Sequence, residues 1–200
     1  MKARYGDSLV IVEWHPYATD PFNINPDDSL RVAGYQHNHG QPSLVLDGYQ
    51  AVAMPSDPSE YYATFDAAIQ AVKSTAAYVA LTATGEADTV EGRIIVTLAM
   101  DSITPGSTPT LYCVVTEDSL LDPLGGSYFR VPLRLLPDRN GVPVSLARGD
   151  TLVDTLTFAT AGHRLEKLGA AVYVEDASGT EEHRVLQSAT INRFVLMEDK

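Results

Sequence analysis

The order of apolar and polar positions divides the chain into two unlike stretches. Leu9-Val10-Ile11-Val12 is a continuous apolar run ending in Glu13-Trp14-His15, the pattern of a strand buried on both faces as in a parallel sheet. Pro16, Pro21 and Pro26 then interrupt regular structure. Asn25 or Asp27 is placed to cap a short helix through Leu30, Val32, Ala33 and Tyr35, with Gly40 as its stop. Ser43–Leu46 reads as a short apolar strand, Asp47-Gly48 as a hairpin turn, and Tyr49–Met54 as the returning antiparallel strand. Asp57, Pro58 and Glu60 open the clearest helix: a cap, a proline at the first helical position and a capping-box-like acid. Tyr61, Phe65, Ala68, Ile69 and Val72 share one face of that helix, which is predicted to run to about Ser74.

Beyond Ala77 the period changes to two. Candidate strands are Tyr78–Thr84, Gly92–Met100, Thr110–Glu117, Tyr128–Leu136, Thr151–Phe158, Ala170–Glu175 and Arg184–Asn192. Turn signals separate them at Gly85, Pro105-Gly106, Gly125-Gly126, Asn140-Gly141, Arg148-Gly149-Asp150 and Ser178-Gly179. This punctuation predicts an antiparallel β-sandwich. The expected fold class is therefore α/β followed by all-β, with a boundary near residue 76 that separates 1–76 from 77–200.

Composition narrows the function classes. The net charge is −12, and acids outnumber bases both before residue 76 (9 against 4) and after it (17 against 10). No basic cluster is available to neutralise phosphates, which disfavours nucleic acid as a partner. No stretch approaches the roughly 20 apolar residues of a membrane-spanning helix, and the short run from Ser8 to Trp14, which contains Glu13, is not a signal peptide. A single cysteine, Cys113, excludes a Cys-x-x-Cys pair within this chain, and its neighbours Leu111-Tyr112 and Val114-Val115 predict a buried structural thiol.

Several motifs, taken in order, carry a resemblance. They are Val10-Ile-Val-Glu-Trp-His15 with Asp20-Pro-Phe22, Gly40-Gln-Pro-Ser-Leu-Val-Leu-Asp-Gly48, Leu111-Tyr-Cys-Val-Val-Thr-Glu-Asp118, and Val172-Tyr-Val-Glu-Asp176 with Val185-Leu-Gln187. Over nearly its whole length the chain resembles the thioredoxin-like outer-membrane protein family of Gram-negative cell envelopes. The resemblance implies a partial thioredoxin-like domain, an immunoglobulin-like β-sandwich after it, and a place in the periplasm or cell envelope. It also implies a strand and a cysteine-bearing helix ahead of residue 1. That strand would lie between Leu9–Val12 and Ser43–Leu46. On this reading the chain is a truncated product, an internal-start gene product, or a domain completed by another strand; alternatively the half-sheet closes around a new pairing.

Two candidate sites follow. In thioredoxin-like proteins a cis proline like the one implied at Gln41-Pro42 offers the preceding backbone to an extended peptide; the alternative is a proline kept for the fold alone. His15, His37 and His39 have metal-binding chemistry, with Asp20 near His15, but no complete tetrahedral ligand pattern stands in the sequence. The acidic groups Glu117-Asp118 with Asp122, Glu175-Asp176 and Glu181-Glu182 lack the spacing of a calcium loop and read as turn residues on a solvated surface. No Gly-rich phosphate loop or nucleophile elbow is present, and no cofactor is expected. The leading expectation is a non-catalytic envelope module that binds a protein or peptide. The alternatives are a fragment of a thiol–disulfide oxidoreductase whose cysteines lie upstream, and a histidine-based metal-binding module.

Overall fold

The longest alternating run, Glu91–Met100, forms a strand in which Gly92, Ile94, Val96, Leu98 and Met100 are buried and the residues between them are not. It anchors the fold seen in a computed structural model of the chain, which describes residues 1–15, 20–23, 44–73, 77–102, 108–121, 125–176 and 183–197. In chain order the elements begin with helix α1 (Lys2–Tyr5), a 3₁₀ turn (Gly6–Ser8), strands β1 (Leu44–Leu46) and β2 (Gln50–Val52), a 3₁₀ turn (Pro58–Glu60) and helix α2 (Tyr61–Lys73). They continue with strands β3 (Val79–Ala87), β4 (Glu91–Met100), β5 (Pro109–Glu117), β6 (Leu120–Leu121), β7 (Ser127–Tyr128) and β8 (Val131–Leu136). The remainder are β9 (Val142–Pro143), β10 (Thr151–Ala159), a 3₁₀ turn (Leu165–Lys167), β11 (Leu168–Asp176), β12 (Arg184–Ile191) and β13 (Val195–Leu196).

The chain is mostly β. One sheet runs β10-β4-β3-β13; the other runs β12-β11-β5-β8, with β9 also paired to β5. The β13–β3 pairing is parallel and the other pairings in these two sheets are antiparallel. The two sheets share one core: Ile94, Val96 and Leu98 from β4, Leu111, Cys113 and Val115 from β5, and Ala170, Val172 and Val174 from β11. Phe158 and Phe194 meet edge to face within it, with centroids 5.5 Å apart. The seven long strands expected from the period-two pattern are all present, with one break. The run Tyr128–Leu136 is interrupted at Phe129-Arg130, where Arg130 takes φ 54.

Expectations for the first stretch are met at the hairpin and the helix. β1 and β2 pair through a turn in which Asp47 and Gly48 both have positive φ (47 and 76), the backbone that an Asp-Gly hairpin supplies. Asp57 accepts a hydrogen bond from Ser59 N (2.9 Å), so the α2 entry is capped as its sequence predicts. Leu46, Ile69 and Tyr5 form a small core with Met1, Leu9, Leu44, Val52, Ala68 and Val72 around it. The helix expected through Leu30–Tyr35 lies outside the described residues.

Leu9–Val12 is a correction: it is extended but belongs to no sheet. Val10, Val12 and Trp14 pack on Tyr112, Val114, Leu135, Ala171 and Tyr173, which point out of the second sheet on its far side. Leu9 turns the other way, into the α2–hairpin core. Leu9, Val10 and Val12 are thus apolar because they pack on one core or the other, while Ile11 is exposed, and packing of this kind requires no ladder of hydrogen bonds. The segment also seals the second sheet: every residue of β11 is buried.

Candidate functional site

Where the apolar segment ends, its last residues meet the break between β7 and β8. Glu13 N donates to Arg130 O (3.2 Å), and Phe129 N donates to Glu13 Oε2 (3.0 Å). This pinning carries His15 against Tyr128. The His15, Phe22 and Tyr128 rings meet edge to face in all three pairings, with centroids 5.0–5.3 Å apart. Asp20 places one oxygen 2.9 Å from His15 Nδ1 and accepts Phe22 N with the other (2.9 Å). Asn23 Nδ2 donates to His15 O (2.8 Å), closing the loop on itself. A carboxylate only accepts, so Nδ1 carries the hydrogen, and in the neutral ring Nε2 presents a lone pair. The His15 side chain is 8% exposed, and its Nε2 is buried with no hydrogen-bond partner among the described residues. A buried bare imidazole nitrogen, oriented through its other nitrogen by a carboxylate, has the form of a ligand or proton acceptor awaiting a partner.

Two further carboxylate–histidine pairs sit at opposite ends of β5 and β11. Glu117 is 4% exposed and is held by His163 Nδ1 (3.1 Å) and Arg164 Nε (2.7 Å). Glu175 is 1% exposed, and His183 Nδ1 lies 2.8 Å from it. The solvated-turn reading of these acids is therefore overturned. They end strands that are covered on both faces, and a buried carboxylate persists only when it is paired. Asp176 is also buried and accepts Thr108 N (3.0 Å). Asp118 accepts Arg130 N (2.7 Å). Asp122, Glu181 and Glu182 lie outside the described residues. The Arg148-Gly149-Asp150 tripeptide is a turn, with Gly149 at φ 87 and Asp150 accepting Ala147 N (2.9 Å).

Cys113 is fully buried on the inner face of β5. Burial pushes its thiol well above the ordinary value, which keeps it protonated and unreactive. Of the sequence-predicted site residues, His15 is brought onto Asp20, while Gln41, Pro42, His37 and His39 lie outside the described residues. Among the described residues no group of three or more His, Cys, Asp or Glu converges in a way that would hold a metal. Sequence reading missed His163 and His183, which meet their carboxylates across 46 and 8 residues, a pairing that only the strand register reveals.

No protein-family model and no curated protein sequence matches the chain. Solved structures do resemble it. "HBP35 of Porphyromonas gingivalis" is similar at a TM-score of 0.72 and 12% identity, over 94% of this chain. The present chain spans 65% of the length of that structure. A domain of the outer membrane lipoprotein Omp28 from Porphyromonas gingivalis is similar at a TM-score of 0.45 and 14% identity, over 62% of this chain and 93% of that one. At this level of identity, what the chain shares with HBP35 is its fold.

Proposed function

We propose that the chain is a non-catalytic binding module of a bacterial cell envelope, built as a partial thioredoxin-like unit (1–76) followed by an immunoglobulin-like sandwich (77–200). The carrying observation is Cys113: the one thiol of the chain is sealed in the core and held protonated, so it is not available as a redox nucleophile. The thioredoxin-like and envelope parts of the reading rest on the sequence resemblance, and the fold shared with HBP35 is compatible with them. Gln41 and Pro42 are retained within this reading as a peptide-docking point. An insulin-reduction assay on the full chain should be blank. Turnover at the level of a dithiol enzyme would overturn the proposal and favour the oxidoreductase alternative.

A second reading has its own observation. The buried Nε2 of His15, unpartnered among the described residues and with Nδ1 held by Asp20, favours metal binding in which His37 and His39 would complete the ligand set. Titration with zinc followed by elemental analysis tests it. Stoichiometric metal in the wild type, lost in His15→Ala and weakened 10- to 100-fold in Asp20→Asn, is the expected result. Metal content unchanged in both variants would sink it.

A further inference from the structure

Among the described residues the two large sheets end in β10, β13, β12 and β8, and three of these strands carry devices that keep an edge from pairing. β13 has two residues. β8 contains Pro132 and Arg134. β12 is engaged by the β1–β2 hairpin, where Val185 N donates to Asp47 O (2.7 Å). β10 is different. It runs for nine residues, pairs with β4 alone, and contains no Pro, Gly, Lys or Arg.

The phase of the ladder says which groups lie on its open side. Met100 N donates to Asp150 O (3.0 Å) and Thr160 N donates to Val90 O (3.2 Å), at the two ends of the β10–β4 pairing. Hydrogen bonding alternates along an antiparallel pair, so the even-numbered residues of β10 bond β4. Thr151, Val153, Thr155, Thr157 and Ala159 therefore turn N–H and C=O outward from the sheet edge. Among the described residues one of these groups has a partner: Thr155 N donates to Asp154 Oδ1 (2.8 Å). The same five side chains are exposed, Val153 at 63%. They are neutral, and so are Ala99, Thr97 and Ile95, which stand beside Thr151, Val153 and Thr155 on β4. Glu91 and Arg93, at the far end, pair with each other (2.7 Å). A chain of net charge −12 thus has an uncharged strip along an open edge.

A second copy of the chain fits that strip. Two acidic molecules repel least where neither carries charge. Antiparallel pairing of β10 with itself about Thr155 sets Thr155 opposite Thr155, Val153 opposite Thr157 and Thr151 opposite Ala159. This register uses the whole strand and about ten main-chain hydrogen bonds, and centring it on Val153 or Thr157 shortens the overlap. Threonine and other β-branched pairs are favourable across such a seam. One group opposes it. Asp154 would face Leu156 of the second copy, with the second copy's Asp154 diagonally across, and it would have to release the Thr155 amide to the facing carbonyl.

We propose that β10 is a homodimer edge, paired antiparallel about Thr155 across a two-fold axis, with Asp154 holding the association weak. The inference goes beyond the binding-module reading and does not depend on it.

Sedimentation velocity and cysteine cross-linking on the full 200-residue chain test it. The weight-average mass of the wild type should rise with concentration toward the millimolar range. Asp154→Asn should tighten the dimer about tenfold. Thr155→Pro, added to Asp154→Asn, should return the protein to monomer; the Thr155 N–H points off the edge, so proline there breaks no bond to β4. The register is read separately under mild oxidation. Thr155→Cys places the two thiols opposite each other, with Cα atoms about 5.5 Å apart, whereas Val153→Cys leaves them roughly 13 Å apart. Thr155→Cys should therefore cross-link at least about tenfold faster than Val153→Cys or than Thr84→Cys on the exposed face of β3. Cys113 is buried and gives no background. Equal cross-linking rates would overturn the proposal. So would Asp154→Asn remaining monomeric at millimolar concentration, or a dimer that survives Thr155→Pro.

Discussion

Cys113 sits on the inner face of β5 with no exposure, and its chemistry follows from that position. A thiol reagent should find no reactive group in the native protein and one per chain in denaturant. The pH dependence has a definite sign. The folded thiol titrates above its unfolded value, so its contribution to stability is complete below about pH 8.5 and is lost as pH rises beyond it. Urea melts from pH 7 to pH 10 should therefore show a downward slope in the wild type that is shallower in Cys113→Ala, at a cost near 1 kcal/mol for the lost packing. Equal slopes in the two proteins would refute the assignment. The buried thiol was legible in the sequence from its apolar neighbours. The burial of Glu117 and Glu175 was not, because an acid at a strand end looks the same whether it meets water or a histidine brought in by a distant loop.

At the scale of elements, the β1–β2 hairpin is held at its tip. Gly48 packs so closely on His183 that a Cβ there would strike the carbonyl oxygen of that residue, and its φ of 76 already disfavours a side chain. Gly48→Ala should cost about 2 kcal/mol, a Tm drop of roughly 4–8 °C, and should free the Val185 amide bonded to Asp47. Gly125 also has positive φ but nothing within 4 Å of its Cβ position, so Gly125→Ala isolates the cost of conformation from that of contact. A similar loss in both variants would show that the hairpin tip does not depend on its dock. The hairpin and α2 were readable because local signals set them: two positive φ values after Leu46, and a cap and proline at residues 57 and 58. Leu9–Val12 misled for a physical reason. Apolar periodicity reports contact with a core, and Leu9, Val10 and Val12 pack half-buried on two cores without joining a sheet. β6, β9 and β13 have two residues each, too few to carry a period.

For the molecule as a whole, Arg130 ties the parts together. Its guanidinium donates to Ile191 O (3.0 Å) and Asn192 Oδ1 (2.5 Å), and lies 3.6 Å from Asp118. Asn192 in turn donates to Asp7 Oδ1 (2.5 Å) beside α1. Gly169 has no side chain where the guanidinium passes; a Cβ there would collide with it. Arg130→Ala should cost about 2 kcal/mol and speed exchange at Glu13, whose amide bonds the Arg130 carbonyl. A variant of unchanged stability would show that the network is incidental.

The covering of β11 on both faces bears on how the protein can be divided. A fragment starting at residue 77 would keep both sheets and their shared core. It would also bare Tyr112, Val114, Ala171 and Tyr173, the face that Val10, Val12 and Trp14 cover in the intact chain. Two tyrosines stacked 5.6 Å apart amid aliphatic side chains make an adhesive stripe. Such a fragment should self-associate in gel filtration to a greater extent than the whole chain. Adding a peptide of residues 8–15 in trans should reverse that excess, so these eight residues would act as an intramolecular chaperone for the sheet beneath them.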